Sequence, residues 1–168
     1  MKIKYLSASI IFSLNVGAAH AQSDEPANDT AAPAASETGQ PIQVVFRNVK
    51  PQAGTIWISL CTEQELPNRD EGGCRGRAKI MAVEGAEYIF DDMPPGVYAV
   101  TAYHDEDDNG WLDFDTRGFP IEATGNSQNA VGSFGPPTFD QMKFTLPVAD
   151  AGLDPYKIII RLQRLSIP

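Results

Sequence analysis

The sequence predicts an all-β protein: a single antiparallel β-sandwich of about seven strands with one long ordered loop. Three observations support this fold class. Apolar residues alternate with polar ones from residue 42 onward, turn-forming residues separate the alternating runs, and helical periodicity is hard to find in the same region. A closed barrel is the alternative architecture that the same pattern permits.

Each predicted strand has every second side chain apolar, which places those side chains on one face. The strands are expected near residues 42–47, 55–60, 78–83, 86–93, 96–104, 141–148 and 156–165. Pro94-Pro95-Gly96 predicts a type II turn between the fourth and fifth, because proline favours the first central position and glycine the second.

Residues 105–140 show little strand pattern, and loops of that length are usually functional or disordered. Large apolar side chains favour order, because they can pack the loop against the core; they are Trp111, Leu112, Phe114, Phe119, Ile121, Val131, Phe134 and Phe139. Ser127 and the segment SFGPPTF are read mainly as turn chemistry that shapes this loop.

The N-terminus predicts export. Residues 1–21 combine two lysines, a short apolar stretch and small residues before the expected cleavage site, as in a secretory signal peptide. Residues 22–41 are rich in Ala, Pro, Ser and Thr and predict a flexible linker, leaving 42–168 as the sandwich domain. The chain is therefore expected to be periplasmic or secreted, without a membrane span.

Charge and cysteines narrow the function further. The net charge is −9, and loss of Lys2 and Lys4 with the signal peptide makes it more negative, which argues against nucleic-acid binding. Cys61 and Cys74 are the two cysteines, and in an oxidising compartment a pair favours a disulfide over two free thiols.

The run HDEDDNGWLDFD, residues 104–115, holds six carboxylates and no basic residue. It matches the calcium-loop template D-x-[DN]-x-[DN]-G, with ligands at Asp105, Asp107 and Asn109 and the turn at Gly110. Trp111 would offer a backbone carbonyl, and Asp113 falls at position 9 of the loop.

The template is incomplete, because Thr116 stands where an EF-hand has a glutamate and a strand precedes the loop. Asp115, or Glu122 folding back, would supply the missing ligand. Calcium is the expected ion, and a solvated acidic turn without an ion is the alternative. His104 is expected to make a structural hydrogen bond rather than to bind the metal.

No nucleotide or nucleophile motif is present, and His104 is the one histidine left after signal cleavage, so a hydrolase is disfavoured. The leading hypothesis is an exported binding or structural module with a calcium-stabilised loop and no catalytic activity. A carrier or receptor for a small ligand, held by residues 105–140, is the alternative. The partner is unknown, whether a cell-envelope protein or a small ligand.

The segments DDMPPGVYAVTAYHDEDDNGWLDFD, GFPIEATGNSQNA and FGPPTFDQMKF resemble a family of bacterial exported proteins, the domain of unknown function 2141. The resemblance covers about residues 42–165. It implies a prealbumin-like or carboxypeptidase-regulatory-like variant of the immunoglobulin-like sandwich, and no biochemical activity. Members of that family often carry aromatic residues near the positions of Thr124 and Asn126, which are small and polar here.

Overall fold

The computed structural model of the chain describes residues 39–133, 135–148 and 154–164. The predicted signal peptide and most of the predicted linker lie outside the described residues. The described residues all belong to one compact unit, and its first strand begins at Gln40, two residues before the predicted start of the domain. None of the described helices is long and apolar enough to cross a membrane.

The described residues form eight strands, two of which, β6 and β7, have only three residues each. The strands are β1 (Gln40–Arg47), β2 (Thr55–Cys61), β3 (Gly76–Met81), β4 (Glu87–Met93), β5 (Gly96–Asp105), β6 (Thr124–Asn126), β7 (Phe144–Leu146) and β8 (Tyr156–Arg161). Two 3-10 helices, Leu66–Glu71 and Ser127–Asn129, and one α-helix, α1 (Phe139–Met142), lie between them.

Two sheets pack face to face. One has the strand order β4-β1-β8, and the other has the order β3-β2-β5-β6, with β7 also paired to β5. This arrangement confirms the predicted all-β sandwich. One pair differs from the prediction, since β1 and β8 run parallel while the other pairs are antiparallel.

The inner faces of both sheets supply the core, as the alternation predicts. Ile42, Val44 and Phe46 of β1 are fully buried; alternate residues of β8 are buried beside them in the same sheet, and alternate residues of β2 and β5 are buried in the opposite sheet. The main buried side chains of those three strands are Ile56, Ile58, Leu60, Tyr98, Val100, Ile158 and Ile160. Burial of these large apolar side chains is the main driving force for folding of the sandwich.

The type II turn predicted at Pro94-Pro95-Gly96 is not formed, because Gly96 does not have a positive φ. The segment instead connects β4 of one sheet to β5 of the other. The hydroxyl of Tyr98 donates a hydrogen bond to the carbonyl of Pro94 at 2.8 Å. A Cβ on Gly96 would lie 3.2 Å from the Tyr98 ring, so glycine leaves space for that tyrosine.

The long loop is ordered by polar groups more than by the apolar side chains predicted to anchor it. Trp111, Phe114, Ile121 and Val131 are exposed, and Phe134 lies outside the described residues. By contrast, Ser127 is fully buried. Its hydroxyl accepts a hydrogen bond from the Val100 N–H at 3.0 Å and donates one to the Met142 carbonyl at 2.6 Å, joining β5 to α1.

The predicted strand over 141–148 begins later than expected, at Phe144, because Gln141 and Met142 belong to α1. Thr138 precedes that helix, and the Gln141 side chain accepts a hydrogen bond from the Thr138 N–H at 2.8 Å, as in a capping box. Met142 is nevertheless buried beside Phe144 and Leu146, so its predicted place in the core is correct.

The outer edge of β8 is covered by a side chain. The Asn129 amide donates a hydrogen bond to the Ile159 carbonyl at 3.3 Å and accepts one from the Arg161 N–H at 2.8 Å. These are the groups that a neighbouring strand would bond. Beyond β8, Gln163 and Thr124 exchange two backbone hydrogen bonds, of 2.9 and 2.8 Å, which connect the two sheets at this side.

The predicted disulfide is present. Cys61 at the end of β2 is bonded to Cys74, with 4.7 Å between their Cα atoms. The bridge closes the connection from β2 to β3, which contains the 3-10 helix Leu66–Glu71.

Candidate functional site

The acidic loop starts at a carboxylate that the sheet holds in place. Asp105 is the last residue of β5, lies opposite Thr55 of β2 and is fully buried. Its Oδ2 accepts a hydrogen bond from the indole N–H of Trp57 at 3.0 Å. Trp57 in turn stacks on Tyr103, with 6.1 Å between the ring centroids. The first residue of the predicted calcium loop is thus rigidly positioned by two paired strands.

The chain then curls around that carboxylate. The N–H groups of Asn109 and Gly110 each donate to Asp105, both at 3.0 Å. Asn109 also donates its N–H to Asp107 Oδ1 at 3.1 Å. Gly110 has a φ of 89°, and a Cβ there would meet no atom within 4 Å, so the backbone conformation alone requires glycine. The predicted turn residue therefore has the predicted role.

Glu122 returns to the start of the loop. The segment from 113 to 121 folds back on itself, with the Ile121 N–H bonded to the Asp113 carbonyl at 3.0 Å. Glu122 is only 6 % exposed. Its Oε1 accepts the Glu106 N–H at 2.8 Å and its Oε2 accepts the Asp113 N–H at 3.1 Å. This one side chain therefore joins the two ends of the acidic loop.

Three carboxylates meet at this place. Oxygens of Asp105, Asp107 and Glu122 all lie within 4.8 Å of one another, and Asp105 and Glu122 are buried. No salt bridge to any of the three is formed within the described parts of the chain. Buried charges are normally paired with an opposite charge or bound to a metal. The partners that the structure provides are uncharged N–H groups of the backbone, of the Trp57 indole and of the Asn109 amide.

Two acidic residues around the cluster, unlike the three carboxylates within it, contact basic side chains. Asp108 lies 3.9 Å from the Lys79 ammonium and accepts the Thr55 hydroxyl at 2.9 Å. Glu106 is paired with the guanidinium of Arg164. Positive charge is thus available at the rim of the loop, and it contacts the carboxylates outside the cluster.

The remaining predicted ligands divide into two groups. The Asn109 amide N–H donates to Asp107 at 3.2 Å and to Asp113 at 3.0 Å, so both lie beside the cluster. Trp111 follows directly, with its N–H bonded to Asn109 Oδ1 at 2.8 Å and its side chain 75 % exposed.

Asp115 belongs to a separate turn. Its carboxylate accepts the N–H groups of Phe119 at 3.0 Å and Arg117 at 2.9 Å, and it pairs with the Arg117 guanidinium. The hydrogen bond from Phe119, followed by those from Arg117, lowers the pKa of Asp115. Of the two closing ligands that the sequence allows, the structure therefore brings Glu122 to the cluster and leaves Asp115 outside it.

The charge and burial of the site change the pKa of Tyr103. Its hydroxyl donates to the Gly110 carbonyl at 3.2 Å. Burial, and then the negative charge of Asp105, raises the pKa of Tyr103 to about 12. The phenol therefore remains a hydrogen-bond donor at any physiological pH.

His104 makes the structural hydrogen bond that the sequence predicts. The imidazole is fully buried, and its Nε2 lies 2.6 Å from the Ala53 carbonyl oxygen. Its backbone N–H is bonded to the Ala123 carbonyl at 2.8 Å. This histidine holds the start of the loop against the turn before β2 and is not among the clustered ligands.

Sequence reasoning missed three side chains that contact carboxylates of the acidic loop: Trp57, Lys79 and Arg164. They lie far from the acidic run in the chain, and Arg164 follows the last strand. The alternation on β2 and β5 gave one signal, since it places Trp57 and Tyr103 on outward-facing positions that strand pairing can bring together.

Fold and site together define a disulfide-linked β-sandwich domain with a carboxylate cluster in the loop that follows its central strand. The chain belongs to the family of uncharacterized proteins conserved in bacteria, DUF2141, whose profile matches residues 44–152. The match begins within β1, extends through β7 and includes the whole acidic loop. No curated protein and no solved structure gives a match.

Proposed function

We propose that this chain is an exported, non-catalytic β-sandwich module whose acidic loop binds Ca²⁺, and that the ion stiffens the loop for contact with a partner. One observation carries the proposal. Two buried carboxylates and a third, exposed one converge within 4.8 Å, and no basic side chain in the described residues pairs with them. Such a cluster lacks the countercharge that a divalent cation would provide.

Calcium suits the ligands better than other common metals. The cluster and its neighbours offer only oxygen atoms, which hard cations prefer, and Ca²⁺ accepts six to eight of them with flexible geometry. Zinc and copper usually recruit histidine or cysteine, and both cysteines are in the disulfide. We expect the dissociation constant to be on the order of 10⁻⁴–10⁻³ M, as in extracellular modules.

Export is supported by the signal-like N-terminus and by the disulfide. Disulfides persist in oxidising compartments such as the periplasm or the extracellular medium. Free calcium is also available outside the cytoplasm at concentrations that suit a weak site. A structural role is supported by the position of His104, because its fully buried imidazole is bonded to a carbonyl and is poorly placed to act as a base.

Calcium titration followed by tryptophan fluorescence tests the proposal. The chain has two tryptophans, and Trp57 donates its indole N–H to Asp105. A Trp111→Phe background therefore leaves one fluorophore in contact with the cluster. Saturable change on adding CaCl₂ after chelation is expected, with MgCl₂ giving a weaker response.

Two variants with the same change of charge separate site binding from general attraction. Asp107→Asn removes a clustered carboxylate but keeps an oxygen that can accept the Asn109 N–H. Asp91→Asn makes the same change on the exposed face of β4. We expect the first to weaken calcium binding by about tenfold or more and the second to leave it unchanged.

The effect of calcium on the free energy of unfolding gives an independent measurement of binding. At about 10 mM Ca²⁺, the expected affinity would raise the free energy of unfolding by about 1.4–2.7 kcal/mol relative to a chelator. If neither Trp57 fluorescence nor unfolding responds to millimolar Ca²⁺, the loop is a hydrogen-bonded acidic turn and the proposal is wrong.

A further inference from the structure

A second feature lies outside the acidic loop. An open cleft of about 540 Å³ is formed where β1, β8 and the turn after β1 meet, and none of its lining residues belongs to residues 105–140. Arg47, Lys50 and Arg161 line it. In a chain with a net charge of −9, this is a local concentration of positive charge.

The two arginines place like charges side by side at the cleft, where Glu84 supplies a single negative charge. Arg47 and Arg161 are direct neighbours in the parallel pairing of β1 and β8, and both are exposed. Like charges at such positions destabilise a sheet. Neither arginine, nor Lys50, forms a salt bridge within the described ranges, whereas basic residues elsewhere, such as Arg117 and Lys143, do.

Glu84 is the acidic residue among those lining the cleft, and its oxygens are already used. They accept the N–H groups of Asn48 at 3.2 Å and Val49 at 2.9 Å. The hydrogen bond from Val49, with that from Asn48 and the charges of Arg47 and Lys50, lowers the pKa of Glu84 against its partial desolvation. Asn48 has a φ of 62°, so Glu84 stabilises a turn that is otherwise strained. That turn places Lys50 at the cleft.

We propose that this cleft binds a small anion carrying a phosphate group. Guanidinium groups bind phosphate through two parallel hydrogen bonds, and two arginines with one lysine outweigh the single negative charge of Glu84. Ile159 lies at the cleft with 44 % of its surface exposed, and it offers an apolar wall to the organic part of a ligand. A phosphate monoester fits this combination better than inorganic phosphate does.

Isothermal titration with phenyl phosphate and with inorganic phosphate tests the inference. The sample is the whole chain without its predicted signal peptide, residues 22–168. Chelator in the buffer keeps calcium out, so the result does not depend on the acidic loop. We expect both probes to bind, phenyl phosphate more tightly, and Arg161→Gln to weaken phenyl phosphate by about tenfold or more. Lys50→Gln should also weaken it, and it guards against a folding defect in a single variant.

Lys157→Gln is the matched control. Lys157 is exposed on the same outward face of β8 as Arg161 but does not line the cleft. Retained binding in this variant supports the site, while an equal loss in Lys157→Gln and Arg161→Gln would show diffuse attraction and overturn it.

A vesicle assay distinguishes the source of the phosphate. Cosedimentation with vesicles of phosphatidylcholine and phosphatidic acid that Arg161→Gln abolishes would place the same chemistry on a lipid headgroup. Absence of saturable binding to both soluble probes, up to about 10 mM, and to the vesicles would refute the inference.

Discussion

Replacing Ser127 with alanine is expected to destabilise the domain by about 2–4 kcal/mol. The hydroxyl is fully buried and serves two backbone groups, the N–H of Val100 and the carbonyl of Met142. Alanine would leave both without a partner, and a buried polar group that loses its hydrogen bond costs about 1–3 kcal/mol. That loss is a large part of the 5–15 kcal/mol by which domains are usually stable.

Equilibrium unfolding in urea, followed by tryptophan fluorescence, measures this difference. Ser133→Ala is the control, since Ser133 lies exposed in the same loop, and its effect should stay within about 0.5 kcal/mol. A loss below about 1 kcal/mol for Ser127→Ala would show that the two backbone groups find other partners. In that case Ser127 would not be the anchor of the loop.

Three further predictions concern the disulfide, the tyrosine beside the cluster and the choice of closing ligand. Replacing Cys61 and Cys74 together with serine should lower the free energy of unfolding by about 3 kcal/mol, because the bridge closes a short loop; an unchanged urea midpoint would contradict this. Tyrosinate absorbance should show one group ionising near pH 12, which Tyr103→Phe removes. Since the pKa of Tyr103 is raised from 10.0, its contribution to stability is complete below about pH 10 and is lost as the pH rises through about 12. Asp115→Asn should leave calcium affinity within about twofold of the unmodified chain, because Asp115 serves its own turn; a tenfold loss would place it in the site.

The core could be predicted from the sequence because alternation alone decides which side chains face inward. Ile42, Val44 and Phe46 illustrate this, since each lies where the period of two places it. The parallel pairing of β1 with β8 could not be predicted, because alternation is the same for either direction.

The site was predictable only in its local part. The spacing of Asp105, Asp107 and Gly110 indicated how the loop turns, because those contacts are formed between near neighbours in the chain. The choice of Glu122 over Asp115 depends on how residues 113–121 fold back, and the Trp57 contact depends on strand pairing. Neither is encoded in the spacing of the acidic run.

The exposed aromatic side chains have a related explanation. Trp111 and Phe114 are large apolar side chains of the kind that usually pack a loop against the core. This loop is instead held by backbone N–H groups that are bonded to buried carboxylates. Because hydrogen bonds between backbone N–H groups and carboxylates hold the loop, it does not depend on apolar packing. Hydrophobicity is therefore a poor guide to burial in this segment.

The Asn129 amide has a consequence for how this protein avoids self-association. An open strand edge can recruit the same edge of another molecule and start a growing aggregate. By occupying the bonding groups of Ile159 and Arg161, Asn129 denies a second molecule its first point of attachment. A single amide thus closes the part of the β8 edge at which another strand could add.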